Sequence, residues 1–154
     1  MKKSGQPGID FVKLILEKAI LEVNPNYEQT EEDIPVDFSL TVNPKLDKAR
    51  KLLKLNLEVI VFKETENPPL RVSVLAAGYF SVKKDEDIKI LEEFSRIQGP
   101  ALVFPFIREV IANLTMRTGY PPLLIPPMNL VSLIGKSGKI KKRLPKRSKI
   151  LEQQ

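Results

Sequence analysis

Glu28, Glu31, Glu32 and Asp33 sit together in the run 24–35, and carboxylates of this kind, with lysines and hydroxyls, are all that the chain could use for catalysis. It contains no His and no Cys. Thiolate and imidazole zinc sites, Ser-His-Asp triads and Cys-His dyads are therefore excluded. Four acids in a polar run with Asn and Pro read as a solvated loop rather than as an acid–base pair. Phosphate chemistry fares no better. The 7 glycines form neither GxxxxGK[ST] nor GxGxxG, and KSGK at 136–139 lacks the upstream spacing of a phosphate loop. The sequence predicts a protein that is not an enzyme and needs no cofactor or metal.

Charge is concentrated at one end. From Gly135 on there are 8 of the 25 Lys and Arg but only one of the 19 acids, Glu152, so the body before it holds 17 cations against 18 acids. The net charge of +6 thus belongs to the tail. That tail, KSGKIKKRLPKRSKILEQQ, could attract RNA, DNA, an acidic membrane face or an acidic partner through counterion release, but it has no aromatic residue to stack on bases. Nucleic acid is not the expected partner, and 135–154 reads as a solvated, disordered extension. Residues 1–8, polar with Gly and Pro, read the same way, which leaves 9–134 as one domain large enough to bury a core. No apolar run is long enough to span a bilayer. Asp10, Lys13, Glu17 and Lys18 interrupt the apolar residues that follow Lys2 and Lys3, so a secretory signal is not expected and a cytoplasmic location is.

The elements that would position a binding surface lie in 99–129. Over 105–117 the apolar residues Phe106, Ile107, Val110, Ile111, Ala112, Leu114 and Met116 wrap most of a helix at about 100° per residue. Such a helix can bury one face on its own sheet and needs a partner for the other, which predicts an oligomer with Phe106, Ile107, Ile111 and Met116 at the interface. Pro105 suits the first turn, and Gly119 can take the left-handed conformation that closes a helix. The run YPPLLIPP at 120–127 then gives an extended, stiff, apolar connection.

Further upstream the pattern is that of strands. Val36, Phe38, Leu40 and Val42 alternate with polar residues; so do Leu53, Leu55, Leu57, Val59 and Val61, and then Leu70, Val72, Val74, Ala76 and Phe80. The hairpin-length loop ETENPP at 64–69 predicts that the last two pair antiparallel. Residues 9–23 are ambiguous between helix and strand, since Asp10 could cap a helix with Leu16, Ile20 and Val23 on one face while Ile15, Ala19, Leu21 and Val23 also alternate. Asp85 can cap a short helix through Ile88, Leu91 and Phe94, and Gly99 and Pro100 end it and launch the central helix. Asn129 can cap a last, short one. Strands first and helices after predict an α+β domain with helices on one face of an antiparallel sheet.

The run LVFPFIREVIANLTMRTGYPPLLIPPMN at 102–129 resembles the signature region of SecB-type export chaperones, and LRVSVLAAGYFSV at 70–82 resembles their last strand. The resemblance, over about 11–133, implies a first strand at 9–23, a four-stranded antiparallel sheet and assembly as a dimer of dimers, a homotetramer. It implies an ATP-independent holdase for unfolded client polypeptides, with grooves lined here by Tyr27, Ile34, Phe38, Leu40, Leu123, Ile125, Met128, Leu130 and Leu133. Export members dock on the SecA motor partly through acids on the outer sheet face. The corresponding position here is Ser73, two residues after Arg71, and the tail is basic, so protection of an antitoxin, as some SecB-like proteins provide, stands beside export. The alternative from another class is a basic-tailed adaptor for nucleic acid or one folded partner.

Overall fold

The computed structural model describes residues 8–28, 34–127, 130 and 137–140. Period-two alternation builds its centre. In Leu52–Val61 (β3) the residues Leu53, Leu55, Leu57, Val59 and Val61 are buried while Lys54, Asn56, Glu58 and Ile60 face the other side. Leu70–Val82 (β4) runs antiparallel to it in the register Leu53↔Phe80 and Val59↔Val74. Val36–Asp47 (β2) flanks β3 with Phe38 opposite Val61, and Ile9–Val23 (β1) flanks β4 with Phe11 opposite Phe80.

Residues 9–23 are therefore a strand. Their mixed periodicity has a physical origin: the register with β4 shifts between Phe11 and Lys13 and again between Leu16 and Lys18. Each bulge adds a residue and flips the parity of those that follow. Phe11, Leu14, Leu16, Ala19 and Leu21 end on the face of buried Phe80, Ala76 and Val74, whereas Lys13, Ile15, Lys18, Ile20 and Glu22 share the outer face with Tyr79, Ser73 and Arg71.

The helices cover the inner face of β3 and β4 and touch β1 only slightly. Lys89–Phe94 (α1) buries Leu91 and Phe94; its first N–H is held by the Asp87 carboxylate at 3.0 Å rather than by Asp85. Gln98–Thr115 (α2) begins well before Pro105. Gly99 and Pro100 occupy its first turn, and Pro105 is interior, where it has no N–H to offer the Ala101 carbonyl. Val103, Phe104, Ile107, Ile111 and Thr115 form its buried face. Close approach to the sheet needs Gly78, since a Cβ there would lie 2.8 Å from Val103 Cγ2. Gly119 closes the segment at φ 85°, as expected.

The expected four strands are present, with one addition. Ser137–Ile140 (β5), assigned from the sequence to a disordered tail, pairs antiparallel with β2 at residues 36–39, so the order is β1-β4-β3-β2-β5. Short stretches such as SGKI carry no periodic signal; the pairing comes from backbone that an open strand edge offers to any chain reaching it. The remaining tail from 141 and the N-terminal residues 1–7 lie outside the described residues.

Candidate functional site

Because α2 stops short of β1, the inner face of that strand stays open. Phe11 is 47% exposed, Leu16 42% and, within the first bulge, Val12 54%. Phe11 stacks edge-on against Phe80 at 4.8 Å between ring centres, and Phe80 against Phe94 at 4.7 Å, so an aromatic row leads from the open edge into the core. A cavity of about 550 Å³ opens here between Phe11 and the first turns of α2, where Gln98, Ala101 and the 52%-exposed Leu102 form its wall.

The next turns of α2 border a second groove. About 470 Å³ lie between Pro105, Arg108, Glu109 and Ala112 and the proline-rich loop at Leu124, Ile125 and Pro126. This loop is pinned to the helix end by buried hydroxyls. Thr115 Oγ1 accepts the Leu123 N–H at 2.8 Å and donates to the Ile111 carbonyl at 2.8 Å; Thr118 Oγ1 donates to the Thr115 carbonyl at 2.6 Å and accepts the Tyr120 N–H at 3.3 Å. Arg108 Nη1 donates to the Ile125 carbonyl at 3.4 Å, with the guanidinium 5.6 Å from the Phe104 ring centre. Prolines cannot supply their own ladder, so the loop borrows its hydrogen bonds from the helix. Half-buried Tyr27 brings the β1–β2 loop to the same end: burial raises its phenol pKa, and neighbouring Tyr120 raises it further. From Gln98 to Ala112 the path measures about 21 Å along the helix axis, the length of about six extended residues.

The structure distributes the expected groove residues differently. Phe38, Leu40, Leu123, Ile125 and Leu130 are buried in the core cluster, and Ile34 is half-buried against it. Met128 and Leu133 lie outside the described residues. Of the four helix residues expected at an interface, Ile107 and Ile111 are fully buried on the chain's own sheet, Phe106 is half-buried, and Met116 is 53% exposed. Glu109 and Asn113 share the outward face with Leu102 and Met116, so the helix is less uniformly apolar at its surface than its composition implied. Phe11, Val12, Leu102, Pro105 and Leu124 escaped the sequence reading. A partial signal was available for β1, whose apolar residues populate both faces.

The opposite face of the sheet is polar and of mixed charge. Lys18 pairs with Glu58 at 3.0 Å and Lys54 with Glu17 at 3.4 Å. Desolvation lowers the Lys54 pKa, but Glu17 and Tyr79 outweigh it and hold the ammonium above its ordinary value. Lys13 Nζ lies 4.6 Å from the Tyr79 ring centre. Ser73 lies on this face beside Ile20 of β1 and Ile60 of β3. Among the described residues no cluster of His, Cys, Asp or Glu could hold a metal ion, and no helix is long and apolar enough to cross a membrane.

Comparison with known proteins agrees with this architecture. Protein-export protein SecB of Anaplasma phagocytophilum (strain HZ) is 28% identical over 133 residues, 84% of this chain and 82% of that protein. The chain spans 66% of the length of SecB from Anaplasma marginale (strain Florida), also 28% identical, over 119 residues and 77% of this chain. A SecB-like chaperone of Mycobacterium tuberculosis, solved in complex with a ChAD peptide from the HigA1 antitoxin, superposes with a TM-score of 0.63 over 78% of this chain and 87% of that one; at 17% identity the likeness is one of fold. The family model described as preprotein translocase subunit SecB matches residues 17–139, and the chain belongs to the SecB family.

Proposed function

We propose that the protein is an ATP-independent holdase that binds non-native polypeptide along the apolar path beside α2 and assembles as a homotetramer, a dimer of dimers. The observation that carries this reading is the uncovered apolar surface on Phe11, Val12, Leu16, Leu102 and Leu124, which no element of the described chain occupies. Unfolded chains differ from folded ones in their exposed apolar side chains, and a shape-tolerant apolar path recognises that difference. Each large side chain fully buried there contributes roughly 1.5 to 3 kcal/mol, and several on one client combine through effective concentration. Membership of a family whose relatives are named for protein export supports the same reading.

Assembly is supported by β1, which among the described residues pairs on one side only and exposes Ile15 and Ile20 on its outer face and Phe11 and Leu16 on its inner face. An open, apolar edge strand of 15 residues favours pairing with a second copy. For delivery, the acids on the outer face are offset by Lys18, Lys54 and Arg71, which disfavours docking of a basic motor element and favours hand-off to another partner, such as an antitoxin.

The test is suppression of aggregation of a denatured protein without nucleotide, at low and high salt, with and without 141–154. Suppression in all four conditions is expected, and combined Phe11→Ser and Leu102→Ser should weaken client binding by about tenfold or more. Suppression confined to low salt and lost with the tail would refute the groove and favour the basic-tailed adaptor, because charge attraction is screened whereas apolar burial is not.

A further inference from the structure

The far edge of the sheet is occupied by the chain's own C-terminal segment. β5 pairs with β2 in the register Val36↔Ile140, Asp37↔Lys139, Phe38↔Gly138 and Ser39↔Ser137. It covers only this first part of the 12-residue strand. Beyond Ser39 no described strand lies on that side, and Pro44 there has no N–H to give. Residues 36–39 are the part of this edge that a described strand occupies, and Pro44 limits how far a longer added strand could be paired.

That part is also rigid. The Asp37 carbonyl accepts the Phe62 N–H at 2.7 Å, while its buried carboxylate accepts the Glu64 N–H at 3.0 Å and the Thr65 hydroxyl. Phe62 is held at φ 60° with its ring fully buried, a conformation that a bulky residue keeps only when its surroundings impose it. A preformed edge lowers the ordering cost of any strand that adds to it. β5, by contrast, is four residues long and pairs on one side only, the kind of element that opens locally at little cost.

We propose that β5 is an internal competitor, filling the strand-addition site at 36–39 until an extended segment of a client displaces it. The proposal rests on the holdase reading and adds its regulation. Strand addition uses main-chain hydrogen bonds and so tolerates any client sequence. A competitor tethered in the same chain acts at an effective concentration of order mM. Apparent client affinity falls by the fraction of molecules with the edge open. Weakly apolar segments are then excluded, and only clients that also fill the α2 path gain enough to open the edge.

Because the chain has no cysteine, the pairing can be locked cleanly. Opposed residues in an antiparallel ladder alternate between two spacings, so S39C/S137C and V36C/I140C sample both in the full-length protein. Binding of reduced, carboxymethylated α-lactalbumin is measured by fluorescence anisotropy in oxidised and reduced forms, beside Gly138→Pro, which breaks the ladder. Expected are binding about tenfold weaker in the oxidised form, recovery on reduction, and about tenfold tighter binding by Gly138→Pro. Equal binding by all three would overturn the competitor and leave the holdase standing; no binding by any would overturn both. Failure of both pairs to oxidise would overturn the pairing itself.

Discussion

Thr115→Val isolates the hydroxyl that fastens the proline-rich loop to α2. The side chain is fully buried, and valine keeps its shape and β-branching while deleting the hydrogen bond accepted from the Leu123 N–H at 2.8 Å and the donation shared between the Ile111 carbonyl at 2.8 Å and the Ala112 carbonyl at 3.3 Å. The Ile111 carbonyl belongs to a helix and keeps its usual acceptor role, so its loss is small. The Leu123 N–H is left without this partner inside the protein, and an unsatisfied buried donor costs about 1 to 3 kcal/mol. Urea unfolding followed by far-UV circular dichroism should show that loss as a lower midpoint at unchanged slope. Amide exchange at Leu123 should accelerate more than exchange in β3 and β4, because the loop opens without the sheet. Thr115→Ser, which keeps the hydroxyl and loses a methyl, should retain the slow exchange at Leu123. A Thr115→Val protein within about 0.5 kcal/mol of wild type and with unchanged Leu123 exchange would refute the claim that this hydroxyl positions the groove loop.

Two further substitutions probe packing and assembly. Gly78→Ala forces a Cβ to within 2.8 Å of Val103 Cγ2 and 2.9 Å of the Phe80 ring, and should destabilise the fold by about 1 to 3 kcal/mol through overpacking; calorimetry showing no loss would mean that α2 does not seat this closely on β4. Ile111→Asp and Met116→Asp should part company. The first places an unpaired charge in the core and should abolish cooperative unfolding, whereas the second, on a 53%-exposed side chain, should leave thermal stability intact and lower the molar mass seen by light scattering. A stable Met116→Asp protein of unchanged mass would remove this end of α2 from the interface.

How much of this was readable without coordinates differs by element. β2, β3 and β4 announced themselves, because one buried and one wet face impose period-two alternation, and Leu53 through Val61 obey it with Ile60 as the one apolar residue on the outer face. β1 did not, because two bulges reset its parity. The start of α2 is hard to read because Pro105 fits a first turn so well; Gly99 and Pro100 already serve that purpose six and five residues earlier in the chain. Thr115 and Thr118 went unnoticed, since a threonine hydroxyl has no sequence context that distinguishes capping a distant loop from facing water.

The sequence by itself determined the class of fold, the exclusion of imidazole and thiolate chemistry and the near-neutral body, all of which follow from residue type and local period. Tertiary structure alone decided which apolar residues are spent and which are left over. Phe38, Leu40, Leu123 and Ile125 looked available and are consumed by the core, whereas Phe11 and Leu102 are left at the surface. Burial depends on where α2 ends laterally across the sheet, over β3 and β4 but short of β1, and no local pattern encodes that limit. The same holds for β5: its pairing is set by an open edge about a hundred residues away in sequence, through backbone groups that every residue but proline carries.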